Sequence, residues 1–169
     1  MGKIIFVTGG ARSGKSSFAL KEASKISGRK AYIATAEALD AEMKKRIERH
    51  KKDRGNDWNT YEEPLRIADV LKKIKYEYDA VVLDCLTLWL SNLINAELNV
   101  KSEIESFISS LVTRHSTLFI ISNEVGMGIV PENELAREFR DIAGILNQRA
   151  AEISDEVYMV ILGIPVRIK

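Results

Sequence analysis

Gly9-Gly10-Ala11-Arg12-Ser13-Gly14-Lys15-Ser16 decides how the chain folds. It reads G-x-x-x-x-G-K-S, the phosphate-binding loop. The apolar, β-rich run Ile4-Ile5-Phe6-Val7 precedes it and reads as a buried strand. Ser17-Phe18-Ala19-Leu20-Lys21-Glu22-Ala23 follows, with helix-forming composition. Strand, glycine loop and helix together form a nest of backbone N–H groups at a helix N-terminus, where phosphate oxygens bind. In such a loop Lys15 reaches the β- and γ-phosphates and the Ser16 hydroxyl holds Mg²⁺. The competing reading, a Gly/Ser-rich turn before a helix, does not account for the whole pattern in its strand–helix setting.

Outward from the loop, strand and helix signals alternate, as in an α/β fold with a mainly parallel sheet. Strands are predicted over 3–8, 31–35, 80–84, 117–122 and 157–162, with a short final strand over 166–169 after a turn at Gly163 and Pro165. Helices are predicted over 15–27, with Gly28 as a stop, and over 40–53, 64–75, 86–96, 102–113 and 134–153. Leu135, Phe139, Ile142, Leu146 and Ile153 form the expected core face of the last helix. Residues 54–60 are polar, contain Gly55 and read as a loop. Residues 123–133, with two glycines and a proline, read as a loop leaving the C-terminal end of a strand, where open α/β sheets place ligands.

Composition narrows the function. A chain of 169 residues, 46% hydrophobic, is expected to be one domain, 1–169, with a substantial core. A net charge of +1 gives no pull toward nucleic acid or a membrane surface. The single cysteine, Cys85, suits a reducing compartment. The first strand starts too early to leave room for a signal peptide. The apolar stretch 80–94 is short and interrupted by Asp84, Ser91 and Asn92, so membrane insertion is not expected. These features point to a cytoplasmic protein. One cysteine and two scattered histidines build no zinc site.

Several side chains could carry chemistry. Ala80-Val81-Val82-Leu83-Asp84 is an apolar strand ending in an acid, and such a carboxylate binds Mg²⁺ directly or through water in phosphate-loop proteins. Glu124, just past a strand, reads equally as a general base, a metal partner or an ordinary loop acid; Glu62 and Glu63 are further candidate acids. His115 lies between a helix and a strand as a connector residue. His50 sits among Arg46, Arg49, Lys51, Lys52 and Arg54, on the stripe of Leu39, Met43 and Ile47. Spacing alone favours a packed residue on a solvated basic helix. The alternative is a nucleophile: neighbouring cations favour the neutral ring, which can attack phosphorus while the cations stabilise phosphoryl oxygens.

The chain resembles the bifunctional adenosylcobinamide kinase/adenosylcobinamide-phosphate guanylyltransferase family of cobalamin biosynthesis. The resemblance rests on Thr8 through Ser16, on Tyr32-Ile33-Ala34-Thr35-Ala36, and on Glu42-Met43 with Arg46-Ile47-x-x-His50-x-x-x-Arg54. It continues in Trp58-x-Thr60-x-Glu62 and Asp84-Cys85-Leu86-Thr87. It ends in Asn123-Glu124-Val125-Gly126, Gly128-Ile129-Val130-Pro131-Glu132 and Arg140-Asp141-x-x-Gly144-x-x-Asn147-Gln148. It spans essentially the whole chain in order.

The resemblance implies a three-layer, RecA-like phosphate-loop fold and two reactions. ATP or GTP phosphorylates adenosylcobinamide, and GTP then donates GMP to adenosylcobinamide phosphate through a GMP–histidine intermediate, releasing pyrophosphate. It places that histidine at His50. It further implies nucleotide contacts at Gly9, Gly10, Ala11, Arg12, Ser13, Gly14, Lys15, Ser16, Ala34, Thr35, Ala36, Lys51, Lys52, Asp53, Arg54, Glu62 and Asp84. Glu62 suits guanine, whose N1–H and N2–H₂ a carboxylate can accept. Mg²⁺ with GTP or ATP is the implied cofactor, and a homotrimer, which some members form, is compatible with the resemblance. Two rivals remain on the residues alone: a single-function small-molecule kinase and a nucleotide-dependent switch.

Overall fold

A computed structural model describes residues 2–37, 48, 57–112 and 115–169. Seven strands form one sheet: β1 (Ile4–Thr8), β2 (Lys30–Ala34), β3 (Trp58–Glu62), β4 (Ala80–Asp84), β5 (Thr117–Ile121), β6 (Glu156–Ile161) and β7 (Ile164–Arg167). Five described helices accompany them: α1 (Lys15–Ser24), α2 (Ile67–Ile74), α3 (Leu86–Asn95), α4 (Val100–Ser110) and α5 (Glu134–Ile153). The strand order is β3-β2-β4-β5-β1-β6-β7, parallel throughout except for the antiparallel β6–β7 hairpin.

The buried strands are apolar on both faces because helices cover both. Along β4, Val81 and Leu83 point into a core built with α2, α3, α4 and α5, in which Trp89, Phe107 and Leu146 are buried. Ala80 and Val82 point the other way, into a second core with Val7, Tyr32, Phe119 and the α1 residues Ala19 and Ala23. The result is the expected three-layer α/β arrangement.

Four expectations are corrected. Residues 58–60, read as loop, belong to β3. This strand lies at the sheet edge, and its residues are half-buried or exposed, so it lacks the apolar run of an inner strand. It is held by backbone pairing to β2, from Lys30 opposite Trp58 to Ala34 opposite Glu62. Second, α2 starts at Ile67, not 64, because the Glu63 carboxylate accepts the N–H groups of Leu65 (2.9 Å) and Arg66 (2.7 Å) and closes a turn ahead of the helix. Third, Leu135 stands 59% exposed although it lies on the periodic apolar stripe of α5. The rest of the stripe holds: Leu146 is buried and Phe139, Ile142 and Ile153 pack against the core, with Ala143 and Ala150 buried beside them. Gly28 also serves differently: α1 ends at Ser24, and Gly28 adopts φ +99° where a Cβ would sit 2.1 Å from the Asp79 carboxylate. Apart from Glu48, which is helical and exposed, the predicted helix 40–53 lies outside the described residues.

Candidate active site

The C-terminal ends of the parallel strands gather the candidate residues. The phosphate-binding loop leaves β1 and turns into α1. Gly9 has φ +149°, and a Cβ there would lie 2.4 Å from the Val160 carbonyl oxygen; Gly14, the N-cap of α1, has φ +97°. Only glycine fits both positions without strain. Arg12 is also left-handed, at φ 56°. The loop is fixed from two sides and by one bond within itself. Glu124 donates its N–H to the Gly9 carbonyl (2.9 Å), Gly163 of the β6–β7 turn donates to the Ser13 carbonyl (2.9 Å), and Ser13 donates to the Gly10 carbonyl (3.3 Å).

Lys15 is buried, 7% exposed, and its Nζ donates to the Gly10 carbonyl at 2.6 Å. The cation is therefore folded back over the cradle rather than extended into solvent. Ser16, half-buried, follows in the first turn of α1. That turn contains no acidic residue and its N-cap makes no side-chain hydrogen bond, so the positive end of the helix is left for an anion.

β5 is inserted between β1 and β4, so Asp84 and the phosphate loop stand two strand spacings apart, about 10 Å. On the other side Ala34 pairs with both Glu62 and Asp84, which aligns the ends of β3, β2 and β4. The Tyr32 hydroxyl donates to Asp84 Oδ2 at 2.7 Å. Glu62 is exposed at the edge of this row. Thus Ala34, Glu62 and Asp84 are brought together, with Thr35 and Ala36 continuing from β2. His50, Lys51, Lys52, Asp53 and Arg54 lie outside the described residues.

A buried polar clamp holds this row. Thr35 Oγ1 accepts the Cys85 N–H (2.8 Å) and donates to the Cys85 carbonyl (2.8 Å). Asn92, on α3, donates to the carbonyls of Thr35 (2.7 Å) and Pro64 (3.1 Å). The Thr35 side chain is thus engaged within the protein. Burial, and then the Asp84 charge, push the Cys85 thiol up to about 12, so it stays protonated and inert. Thr35→Val removes both hydroxyl bonds and leaves the buried Cys85 N–H unpaired, at about 1–3 kcal/mol, while the Cys85 carbonyl loses one donor and keeps the Trp89 N–H (3.1 Å). The expected outcome is a fall in Tm of roughly 5–15 °C, read by thermal unfolding.

Glu124 is turned inward on its own loop: its carboxylate accepts the N–H groups of Gly126 (2.8 Å) and Met127 (3.0 Å). Arg140 donates to the Gly126 carbonyl, and Asn147 to the Asn123 carbonyl at 3.1 Å. Of the readings open for Glu124, this conformation displays the loop-closing one. Sequence reasoning assigned no role to Tyr32, Asn92 or Asn147. The available signal was a polar side chain set in an apolar strand or helix, which a buried position must satisfy.

Among the described residues no cluster of three or more His, Cys, Asp or Glu side chains could hold a metal ion. The donors at hand are one hydroxyl, Ser16, and one carboxylate, Asp84. That set fits Mg²⁺ carried on nucleotide phosphates, where water and phosphate complete the shell, rather than an all-protein metal site. Among the described residues no helix is long and apolar enough to cross a membrane.

Solved structures with similar folds include the RadB recombinase (TM-score 0.50, 16% identity, covering 93% of this chain and 73% of that one). A prototypical ATPase from the type III secretion system of pathogenic bacteria is another (TM-score 0.55, 10% identity, 99% and 57%). At such identities the likeness concerns the fold alone. Sequence comparison goes further. The bifunctional adenosylcobalamin biosynthesis protein CobU of Salmonella typhimurium is 40% identical over 98% of this chain and 99% of its own length. The bifunctional adenosylcobalamin biosynthesis protein CobP of Pseudomonas aeruginosa is 39% identical over 96% and 95%. Residues 5–168 match the family described as cobinamide kinase / cobinamide phosphate guanyltransferase. With its phosphate loop, aligned acidic strand ends and full-length sequence match, the chain belongs to the cobinamide kinase / cobinamide phosphate guanyltransferase family.

Proposed function

We propose that the protein phosphorylates adenosylcobinamide with ATP or GTP and then transfers GMP from GTP to the resulting phosphate, giving adenosylcobinamide-GDP and pyrophosphate. The observation that carries this reading is the full-length family match together with a phosphate loop whose lysine is held over the cradle.

In the kinase step the backbone N–H groups of Gly9–Ser16 cradle the phosphates, and Lys15 offsets the negative charge on the transferring group. Ser16 and Asp84 would hold Mg²⁺, which draws charge from the phosphoryl oxygens. The acceptor hydroxyl forms the new O–P bond, loses its proton, and the nucleoside diphosphate leaves. In the guanylyl step His50 forms an N–P bond to the α-phosphorus of GTP while the bond to pyrophosphate breaks. A phosphate oxygen of the acceptor then displaces the histidine and regenerates the free ring. Lys51, Lys52, Asp53 and Arg54 accompany His50 as nucleotide contacts, with Ala34, Thr35 and Ala36 as further contacts and Glu62 toward the base.

The reading extends to a cytoplasmic homotrimer. Exposed apolar side chains on the 123–133 loop and the β6–β7 hairpin, including Ile129 (97% exposed) and Leu162 (90%), support self-association. Light scattering on the purified protein should give three times the chain mass of 19.0 kDa.

The test of function is direct. Purified protein with Mg²⁺ and ATP or GTP should convert adenosylcobinamide to its phosphate and, with GTP, to the GDP derivative. Phosphorylation without guanylylation would leave the single-function kinase. Nucleotide hydrolysis with no acceptor consumed would leave the switch.

A further inference from the structure

Tyr32 and Asp84 face each other across the β2–β4 ladder. Tyr32 is in register with Val82, and Asp84 lies two residues further along β4, so the two side chains are diagonal neighbours on the same face of the sheet. That face is the one covered by α1, the helix that begins at Lys15 and Ser16. The tyrosine ring is 4% exposed and packed in the core with Val7, Val82, Phe119 and Ala19. Its hydroxyl donates to Asp84 Oδ2 at 2.7 Å, a charge-assisted bond when the acid is ionised. No hydrogen bond to Oδ1 is made among the described residues. One oxygen of the acid is therefore held by a donor whose own position is set by core packing, and the other remains for a ligand.

Mg²⁺ tolerates little deviation from octahedral geometry, so the orientation of a carboxylate beside it matters as much as its presence. Partners that orient a metal-binding side chain from behind typically change metal affinity 10–100-fold when removed. From this geometry we infer that Tyr32 is a positioning residue for Mg²⁺–nucleotide binding, acting through Asp84. The inference rests on the reading of Asp84 as the Mg²⁺ partner. Tyr32 touches neither nucleotide nor acceptor in this role; it fixes the direction in which Asp84 presents its second oxygen.

The test follows Mg²⁺-dependent binding of a fluorescent GTP analogue to wild type, Tyr32→Phe, Asp84→Ala and the double variant, with the same binding in EDTA as a reference. Tyr32→Phe should raise the half-saturating Mg²⁺ concentration about tenfold, at the lower end of that range. In EDTA its affinity for the analogue should stay within about twofold of wild type, and in the Asp84→Ala background it should add nothing further. A Mg²⁺ dependence unchanged by Tyr32→Phe, or changed equally with and without Asp84, overturns the inference. If Asp84→Ala itself leaves the Mg²⁺ dependence as in wild type, the reading of Asp84 falls and the inference falls with it. Circular dichroism checks folding, and Tyr32→Met replaces Tyr32→Phe should the latter not fold. In kinetics, the role predicts that excess Mg²⁺ restores Tyr32→Phe turnover; a purely structural role predicts lowered Tm with no such rescue.

Discussion

Replacing His50 by alanine is expected to abolish guanylyl transfer while leaving phosphorylation of adenosylcobinamide near its wild-type rate. The two reactions break different P–O bonds. Phosphorylation passes the γ-phosphoryl group directly to a hydroxyl and needs positioning and charge, not a protein nucleophile. Guanylylation through a covalent adduct needs the imidazole nitrogen itself, and loss of a covalent nucleophile costs about 10⁴-fold or more in turnover. Incubation with Mg²⁺ and α-labelled GTP should leave label on the wild-type protein after denaturation. That label should be lost in mild acid, survive base, persist in His115→Ala and be missing in His50→Ala. His115 packs tilted against Tyr76, ring centroids 4.4 Å apart, beside the chain entering β5 at the opposite end of that strand from Asn123 and Glu124, so its removal should not reach the chemistry. Label lost in His115→Ala would transfer the nucleophile's role to that residue. Absence of label in wild type, with GTP binding intact, would remove the covalent step.

Lys15→Ala should depress both reactions together. The ammonium group is buried and held by the Gly10 carbonyl, so it is already placed inside the cradle before nucleotide arrives. A preorganised charge of this kind loses little to reorganisation as charge shifts in the transition state. Removing one such group costs about 10²–10³-fold in kcat. With GTP for the second reaction proposed to bind in the same phosphate cradle, guanylyl transfer should fall with phosphorylation, in contrast to the selective loss in His50→Ala. Steady-state assays of the two steps, run separately on adenosylcobinamide and on its phosphate, resolve the two patterns. The fold should survive, because the hydrogen bonds to the Gly10 carbonyl and Ser13 Oγ that the variant gives up lie within the phosphate loop itself, a bond to a charged donor being worth about 1.5–3 kcal/mol. Undiminished guanylylation in Lys15→Ala would mean that the second reaction binds its triphosphate elsewhere.

The phosphate loop was legible because its requirements are local. A buried apolar strand, glycines at the positions that become Gly9 and Gly14, and a helix starting at Lys15 all lie within some twenty consecutive residues. The inner strands β4 and β5 were equally plain, since strands covered on both faces are continuous apolar runs. The long helix α5 begins and ends where the apolar period predicts, with Asn133 accepting the Ala136 N–H as its cap.

Tertiary structure alone decided what depends on neighbours. Edge strand β3 carries Trp58, Thr60 and Glu62 between polar residues, and its identity comes from pairing with β2, which no local pattern encodes. Which strand separates the phosphate loop from Asp84 is a property of the sheet order. The direction of the Asp84 carboxylate depends on a register that sets Tyr32 opposite Val82. The clamp of Thr35, Cys85 and Asn92 joins three segments far apart in the chain. Sequence by itself determined the chemistry available at the strand ends, because side-chain identity and local propensity act at short range. The aim of each group was set only by long-range pairing, because hydrogen bonds and packing act between whatever the fold brings together.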